Sequence, residues 1–428
     1  MKKLFAVVLA LVLLTLSGCG QAPVQSGSGS QPVSEAKPGK TASLDFIWFS
    51  DGNEGDVMQK IIDDYQAATP GVTINLISVP FADLHTKITN LIQGGTPPAL
   101  ARTDGMTRYY EYCLPLNDVF GETEAFAGQY YDSIRNYFTK DGEIVCLPHD
   151  TTANGMLYNK TLFDKAGVAV PQSEEEIWTW EEFIAAVKTV QQKTGCQYGV
   201  VWDGNGHRYT SMLYEWGGRI FSDDYSKMLL NEPAAIDCLK YFKQQFDDGV
   251  FDTSVWLGGE NPNNLFRTGN AAVHIAGNWM VGNYNDITDF EWGATYMPIK
   301  ETRATVPGGK YIVGFDGTGV EAETKAFIEY LATPEVTARY CEETMLISPR
   351  KDQTDLAWAA RSEDLKIFSQ ELLASPAFTG NDFSYPGMSA IFVDYHTNII
   401  KTIMGEMTPE QAMDAVVKLG EDYIAQQK

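Results

Sequence analysis

The sequence predicts an α/β protein with two lobes, and three observations carry that expectation. Strand-like runs alternate with segments of helical period along most of the chain. About 388 residues (41 to 428) follow a polar leader, enough for two domains with cores of their own. No internal repeat and no low-complexity segment beyond that leader interrupts the pattern.

The leader comes first. Lys2 and Lys3 precede an unbroken apolar run, Leu4 to Leu14, which is too short for the roughly 20 residues of a spanning helix. A basic start, a short apolar core and small residues at the cut read as a signal peptide over 1–18. Leu16-Ser17-Gly18-Cys19 resembles the lipobox of bacterial lipoproteins. That resemblance implies cleavage before Cys19, acylation of its thiol (palmitate among the chains) and a mature protein held to the cell membrane by lipid. Ordinary secretion is the alternative, but no A-x-A-like site lies nearby. Gly20 is not the aspartate that retains many Gram-negative lipoproteins at the inner membrane, so the expectation leans to a Gram-positive surface. Residues 19–40 are Gly, Ser, Pro and Gln with little apolar bulk, and read as a flexible tether. Pro38-Gly39-Lys40-Thr41 imitates the end of a phosphate-binding loop, yet Ser34 stands where its first glycine belongs and no strand precedes it.

The body follows. Ser43 to Phe49 reads as the first strand, and Met58, Ile61, Ile62 and Tyr65 make a helical face that Pro70-Gly71 ends. Val72 to Val79 is a β-branched run. Leu84, Ile88, Leu91 and Ile92 form a second helical face ended by Gly94-Gly95, and Pro97 to Ala101 leads into a short buried strand. Strands separated by such helices imply a parallel sheet with right-handed crossovers. Thr179-Trp180-Glu181-Glu182 is a capping-box pattern, Thr333-Pro334-Glu335 puts proline at the first helical position, and Thr408-Pro409-Glu410-Gln411 does both.

Composition narrows function. Lys plus Arg is 32 against 56 Asp plus Glu, a net −24; without Lys2 and Lys3 the balance is 30 against 56, or −26. Phosphate contact needs clustered cations, so nucleic acid is excluded as the main partner. The five histidines show no metal-ligand spacing and no C-x-x-C occurs, so neither a metal nor another cofactor is expected. Five cysteines remain besides Cys19, an odd number that leaves at least one free thiol or an intermolecular bond. Cys113 and Cys146 are open to either reading, a disulfide or two separate buried thiols.

Several ordered segments carry a wider resemblance. They are Asp141 to Pro148 followed by Tyr158-Asn159-Lys160 and Phe163; Thr179 to Phe183; Phe266 to Val273 with Gly277-Asn278-Trp279; and Lys325 to Pro349 around Phe327 to Glu335. Together they resemble the solute-binding lipoproteins of sugar ABC importers, the maltose-binding-protein-like group. The resemblance implies a type II periplasmic-binding fold of two hinged, discontinuous lobes, 41–150 with 299–347 and 151–298 with 348–428. The chain would cross near Asp150-Thr151-Thr152, Met297-Pro298 and Ser348-Pro349-Arg350. It also implies a monomer that captures a sugar or oligosaccharide, without turning it over, and delivers it to permease subunits.

A sugar needs polar side chains for its hydroxyls and aromatic rings for its C–H faces. Ser50, Asp51 and Asn53 lie just past the first strand's carboxyl end, where open α/β sheets bind ligands, though turn and cap chemistry uses the same residue types. Asp104 follows the third strand, and matches a sugar-binding aspartate of the maltose-binding branch. Thr152 stands where that branch has a carboxylate, so a charge is lost. Trp202 opens a glycine-rich loop whose Asn205 and His207 fall on a glutamate and a stacking tyrosine; Asp203 between them reads as a turn former. Asn278 and Trp279 fall in the G-x-W piece, Trp279 on a stacking tryptophan. Phe392 and His396 match another stacking tryptophan and an arginine. These changes imply that the ligand need not be maltose-like. Trp48, Trp178, Trp180, Trp256 and Trp292 read as packing residues.

Two rivals stand beside this reading. A lipid-anchored glycoside hydrolase would need a carboxyl pair at defined separation, and no motif singles one out; a serine elbow is absent. The same fold with ferric ion, polyamine or peptide as cargo is the other, since Tyr109-Tyr110 and Tyr130-Tyr131 resemble the tyrosine pairs of ferric-binding relatives. No calcium loop is present, because neither Asp51 nor Asp203 opens a run with Glu at its twelfth position.

Overall fold

A computed structural model describes residues 41–50, 52–106 and 108–427. The signal peptide, Cys19, the tether and Asp51 lie outside the described residues.

Eleven strands are present in the described chain: β1 (Ala42–Trp48), β2 (Val72–Ser78), β3 (Leu100–Thr103), β4 (Thr139–Lys140), β5 (Glu143–Ile144), β6 (Leu147–Thr152), β7 (Asn154–Tyr158), β8 (Tyr198–Trp202), β9 (Ala271–Gly277), β10 (Gly293–Thr295) and β11 (Gly308–Gly314). They make a five-stranded sheet ordered β2-β1-β3-β11-β6, a four-stranded sheet ordered β10-β7-β9-β8, and the β4-β5 hairpin. The first two crossovers follow the sequence closely. β1 pairs in parallel with β2 from Ala42↔Val72 to Trp48↔Ser78, and with β3. The intervening helices Glu54–Ala68 and Phe81–Gln93 bury Met58, Ile61, Ile62 and Tyr65, and Leu84 and Ile88.

The expectation of parallel pairing holds there and for β8 with β9 in the second sheet, but not throughout. β11 runs antiparallel to both β3 and β6, and in the second sheet β7 is antiparallel to β9 and β10. The cause is the chain path: β6 passes into β7 through Ala153 alone, and β10 returns to β11 with no crossover helix to reverse direction. Residues 299–306 keep company with the second sheet: Ile299 bridges Thr179, Glu301 N–H donates to the Glu215 carbonyl, and Thr305 Oγ bonds Asn154.

Local start signals act where expected. Thr179 and Thr408 form complete capping boxes with Glu182 and Gln411, and Pro334 is at the start of Pro334–Thr344. Trp48, Trp180, Trp256 and Trp292 are buried, and Trp178 packs on the second core. All five described cysteines are unpaired, so Cys113 and Cys146 are separate buried thiols. Among the described residues no helix is long and apolar enough to cross a membrane, and no group of three or more His, Cys, Asp or Glu side chains is placed to hold a metal.

Candidate functional site

The strand ends of both sheets open on one cavity of about 770 Å³, within the range of small-molecule sites. From the five-stranded sheet come Arg102 and Asp104 at the end of β3, Asp150 and Thr152 on β6, and Gly308 to Lys310 on β11. From the other side come Asn205, His207 and Arg208, which open the helix after β8, and Trp279, which follows β9. Phe81, Tyr137, Phe383 and Phe392 add rings. Pro307-Gly308-Gly309 keeps the floor low. A Cβ at Gly309 would lie 2.7 Å from the Asp150 carbonyl oxygen, and one at Gly308 would overlap Thr152 Oγ1.

Several of the charges at the cavity are paired. Arg102 and Asp150, each 1% exposed, meet at 3.0 Å; the guanidinium also donates to the Phe49 carbonyl at 2.9 Å and lies over the Trp48 and Phe49 rings. Asp104 accepts from His85 Nε2 at 3.2 Å, and His85 Nδ1 bonds the Tyr109 hydroxyl. Burial pushes the Asp104 carboxyl up, but the His85 bond and the charges of His85 and Lys310 outweigh it and hold it below the usual carboxylate range. Asp203 is more than a turn former: it bonds His274 Nε2 at 3.0 Å and lies 3.6 Å from Arg208 Nε. Burial again raises its pKa, and His274 and Arg208 again bring it below the ordinary value. Arg208 Nη1 donates to His207 Nδ1 at 2.8 Å. Burial, then the neighbouring Arg208 charge, push His207 well below its usual range, so this ring is neutral at physiological pH.

Trp279 is held by its surroundings. The Arg208 guanidinium lies 4.7 Å from its ring centroid. Its six-membered ring rests against Gly277, where any Cβ would overlap Cζ3, Cη2 and Cε3.

Six of the residues expected from sequence line this cavity together: Asp104, Thr152, Asn205, His207, Trp279 and Phe392. Asn53 lines an adjoining smaller cavity, its amide donating to the Glu343 carbonyl. Four other expected residues lie outside the lining of this cavity. Trp202 is 1% exposed and stacks flat on Trp180 at 5.9 Å, so it is core. Asn278 is fully buried; its carboxamide oxygen accepts from Ala153 N–H at 3.0 Å and clasps the β6–β7 crossing. Ser50 Oγ takes the Trp48 indole N–H and the Gly55 N–H, each at 3.0 Å, as turn chemistry. His396 Nδ1 accepts the Gly206 N–H at 3.2 Å, outside the cavity lining.

Sequence reasoning missed Arg102, Asp150, Arg208, Phe81 and the Pro307–Lys310 floor. A signal existed for two of these. An arginine inside the apolar run Leu100-Ala101-Arg102 must find a buried partner, and a Pro-Gly-Gly triplet marks close backbone approach.

Residues 60–367 match the family described as bacterial extracellular solute-binding protein. A binding protein of Brucella abortus (strain 2308) is 23% identical over 378 residues, 85% of this chain and 89% of that protein. The arabinooligosaccharide-binding protein of Bacillus subtilis (strain 168) is 24% identical over 337 residues, 74% of this chain and 72% of that protein. The solved structure of the cyclic alpha-maltosyl-1,6-maltose binding protein of Arthrobacter globiformis aligns with a TM-score of 0.76 at 20% identity, covering 90% of this chain and 100% of that one. At that identity the likeness shows a shared fold.

Proposed function

The chain belongs to the bacterial extracellular solute-binding proteins, and from that premise we propose that it captures an uncharged sugar or oligosaccharide between its two sheets and delivers it intact to an ABC importer. One observation carries the reading: a single cavity joins several aromatic rings to ionic side chains that are already paired within the protein. Rings suit the C–H faces of a pyranose or furanose. Paired charges supply donors and acceptors for hydroxyls while offering a charged cargo little net attraction. The relatives' own ligands, arabinooligosaccharide and a cyclic maltosyl-maltose, support the same class.

Asp104, Thr152, Asn205, His207, Trp279 and Phe392 are the ligand-contacting residues in this reading, with Asn53 at one margin. Asn205 caps its helix by accepting the His207 N–H, which fixes the loop that presents both. The lobes are 41–150 with 299–347 and 151–298 with 348–428; the bonds made by 299–306 support moving that short stretch to lobe two. Closure about the crossings near Thr152, Pro307 and Ser348 buries the ligand. Shifting an open–closed balance from 1:99 to 99:1 takes about 5.5 kcal/mol. One ring face of about 100 Å² supplies about 2–3 kcal/mol, and each good hydrogen bond about 0.5–1.5.

Two of the three carboxyls lining the cavity, Glu54 being the third, are unsuited to hydrolysis. Asp104 is held ionised and so cannot serve as a general acid, and Asp150 is tied to Arg102. The mature protein is a monomer outside the cytoplasm, anchored through the lipid on Cys19. The test is a thermal-shift and calorimetric screen of residues 41–428 against neutral saccharides, with a reducing-end assay of the recovered ligand. We expect at least one saccharide to raise the melting temperature and return uncleaved. Stabilisation by ferric ion or a polyamine alone, or new reducing ends, would overturn the proposal.

A further inference from the structure

A second cavity of about 250 Å³ adjoins the main one and shares four of its lining residues, Glu54, Trp279, Asn283 and Leu346. We infer that the site is built in two chambers meeting at Trp279, and that it selects saccharides of two or more linked units, one in each chamber. This rests on the saccharide reading above and names the length of the ligand.

The geometry supports it in three ways. First, Trp279 is set as a partition rather than a free platform. Arg208 lies over its ring on the side of the main cavity, and Gly277 supports its benzo edge. Arg208 lines the main cavity and not the smaller one. A ligand confined to the main chamber therefore meets an indole already engaged by a cation, whereas one that continues past Trp279 gains further ring surface. Second, the shared wall is polar where a glycosidic link would pass. Glu54 is 5% exposed, and Asn283 is solvent-accessible, its amide donating within the protein only to Met280 Sδ at 3.7 Å among the described residues. Third, the smaller chamber exists because of two backbone choices. Met345 ends the helix Pro334–Thr344 at φ 58°, and Gly282, across from it, has no side chain. A Cβ at Gly282 would make an ordinary contact of 3.9 Å with the Met345 Cβ, so longer side chains there fill the chamber without backbone strain.

The test uses residues 41–428, which hold every described element, with two probe series: arabinose, arabinobiose and arabinotriose, and glucose, maltose and maltotriose. Calorimetry on the wild type is expected to show at least tenfold tighter binding for the disaccharide than the monosaccharide in the series that binds. Gly282→Leu is expected to remove that gain while leaving the monosaccharide affinity within twofold, which also shows that the variant is folded. Asn283→Ala, which leaves the chamber open, is expected to reduce the gain by about threefold to tenfold. Equal wild-type affinities along a binding series, or equal losses at every length in Gly282→Leu, would overturn the two-chamber inference and leave the saccharide reading standing. No response to any of the six sugars, with stabilisation by a charged solute instead, would overturn both.

Discussion

Gly277→Ala tests how the binding surface is assembled without touching a side chain that meets ligand. Gly277 closes β9 in backbone geometry open to alanine, and it is not among the positive-φ glycines. The added methyl would occupy the space of Trp279 Cζ3, Cη2 and Cε3, so the indole must swing away. One ring face of about 100 Å² at about 25 cal/mol per Å² is about 2–3 kcal/mol. At about 1.4 kcal/mol per tenfold, that is a loss of roughly 30- to 150-fold in Kd. The Arg208 guanidinium loses its ring contact in the same step. The assay is calorimetric titration of wild type, Gly277→Ala, Trp279→Ala and the double variant with the tightest-binding saccharide of the screen. Both single variants are expected to lose affinity to a similar degree, and the double to lose little more than either, because the two changes remove one contact. A Gly277→Ala protein within twofold of wild type, alongside a Trp279→Ala protein weakened tenfold or more, would refute the role given to Gly277. Unchanged affinity in both would remove Trp279 from the site.

Other expectations follow from the buried charges and thiols. Asp150→Ala strands the Arg102 guanidinium and should destabilise the fold by about 3–5 kcal/mol in urea melts; a loss under 1 kcal/mol would mean that the arginine finds another partner. Asp382, fully buried, has its carboxyl raised to about 6, mainly by burial, with the Tyr214 hydroxyl, Arg219 and the Ile220 and Phe221 N–H groups opposing. The folded state therefore binds this proton more tightly than the unfolded chain. Its contribution is greatest below about pH 4 and is lost as pH rises through about 6. Asp382→Asn should accordingly gain on wild type between pH 4 and pH 7, with a ceiling of about 3 kcal/mol; an identical difference at both pH values would exclude this titration. Finally, burial pushes the Cys113 thiol up to about 12 and raises Cys146 well above its usual range. Ellman titration of residues 41–428 should find five thiols on unfolding and slow reaction before it; three thiols would mean that one disulfide forms, against the unpaired cysteines described above.

What the sequence determined by itself was everything set by short-range physics. Thr179 and Thr408 cap their helices because a hydroxyl reaches an N–H three residues on, whatever the rest of the chain does. The first two βα units were legible from the period of Met58, Ile61, Ile62 and Tyr65, and of Leu84 and Ile88. Residue-by-residue resemblance to the family pointed to six of the residues that line the main cavity, of which only Trp279 lies inside the ordered segments. Only the tertiary structure decided which polar groups are already engaged. Trp202 and Trp279 are both tryptophans beside glycine, yet one stacks on Trp180 and the other stands in the cavity. Asn278 and Asn205 are both loop asparagines, yet one clasps a crossing 125 residues away and the other caps the helix beside the site. Arg102 meets Asp150 across 48 residues, and β11 turns the sheet antiparallel because of where the chain re-enters. Burial and pairing are properties of a neighbourhood assembled from distant segments, and no window along the chain contains them.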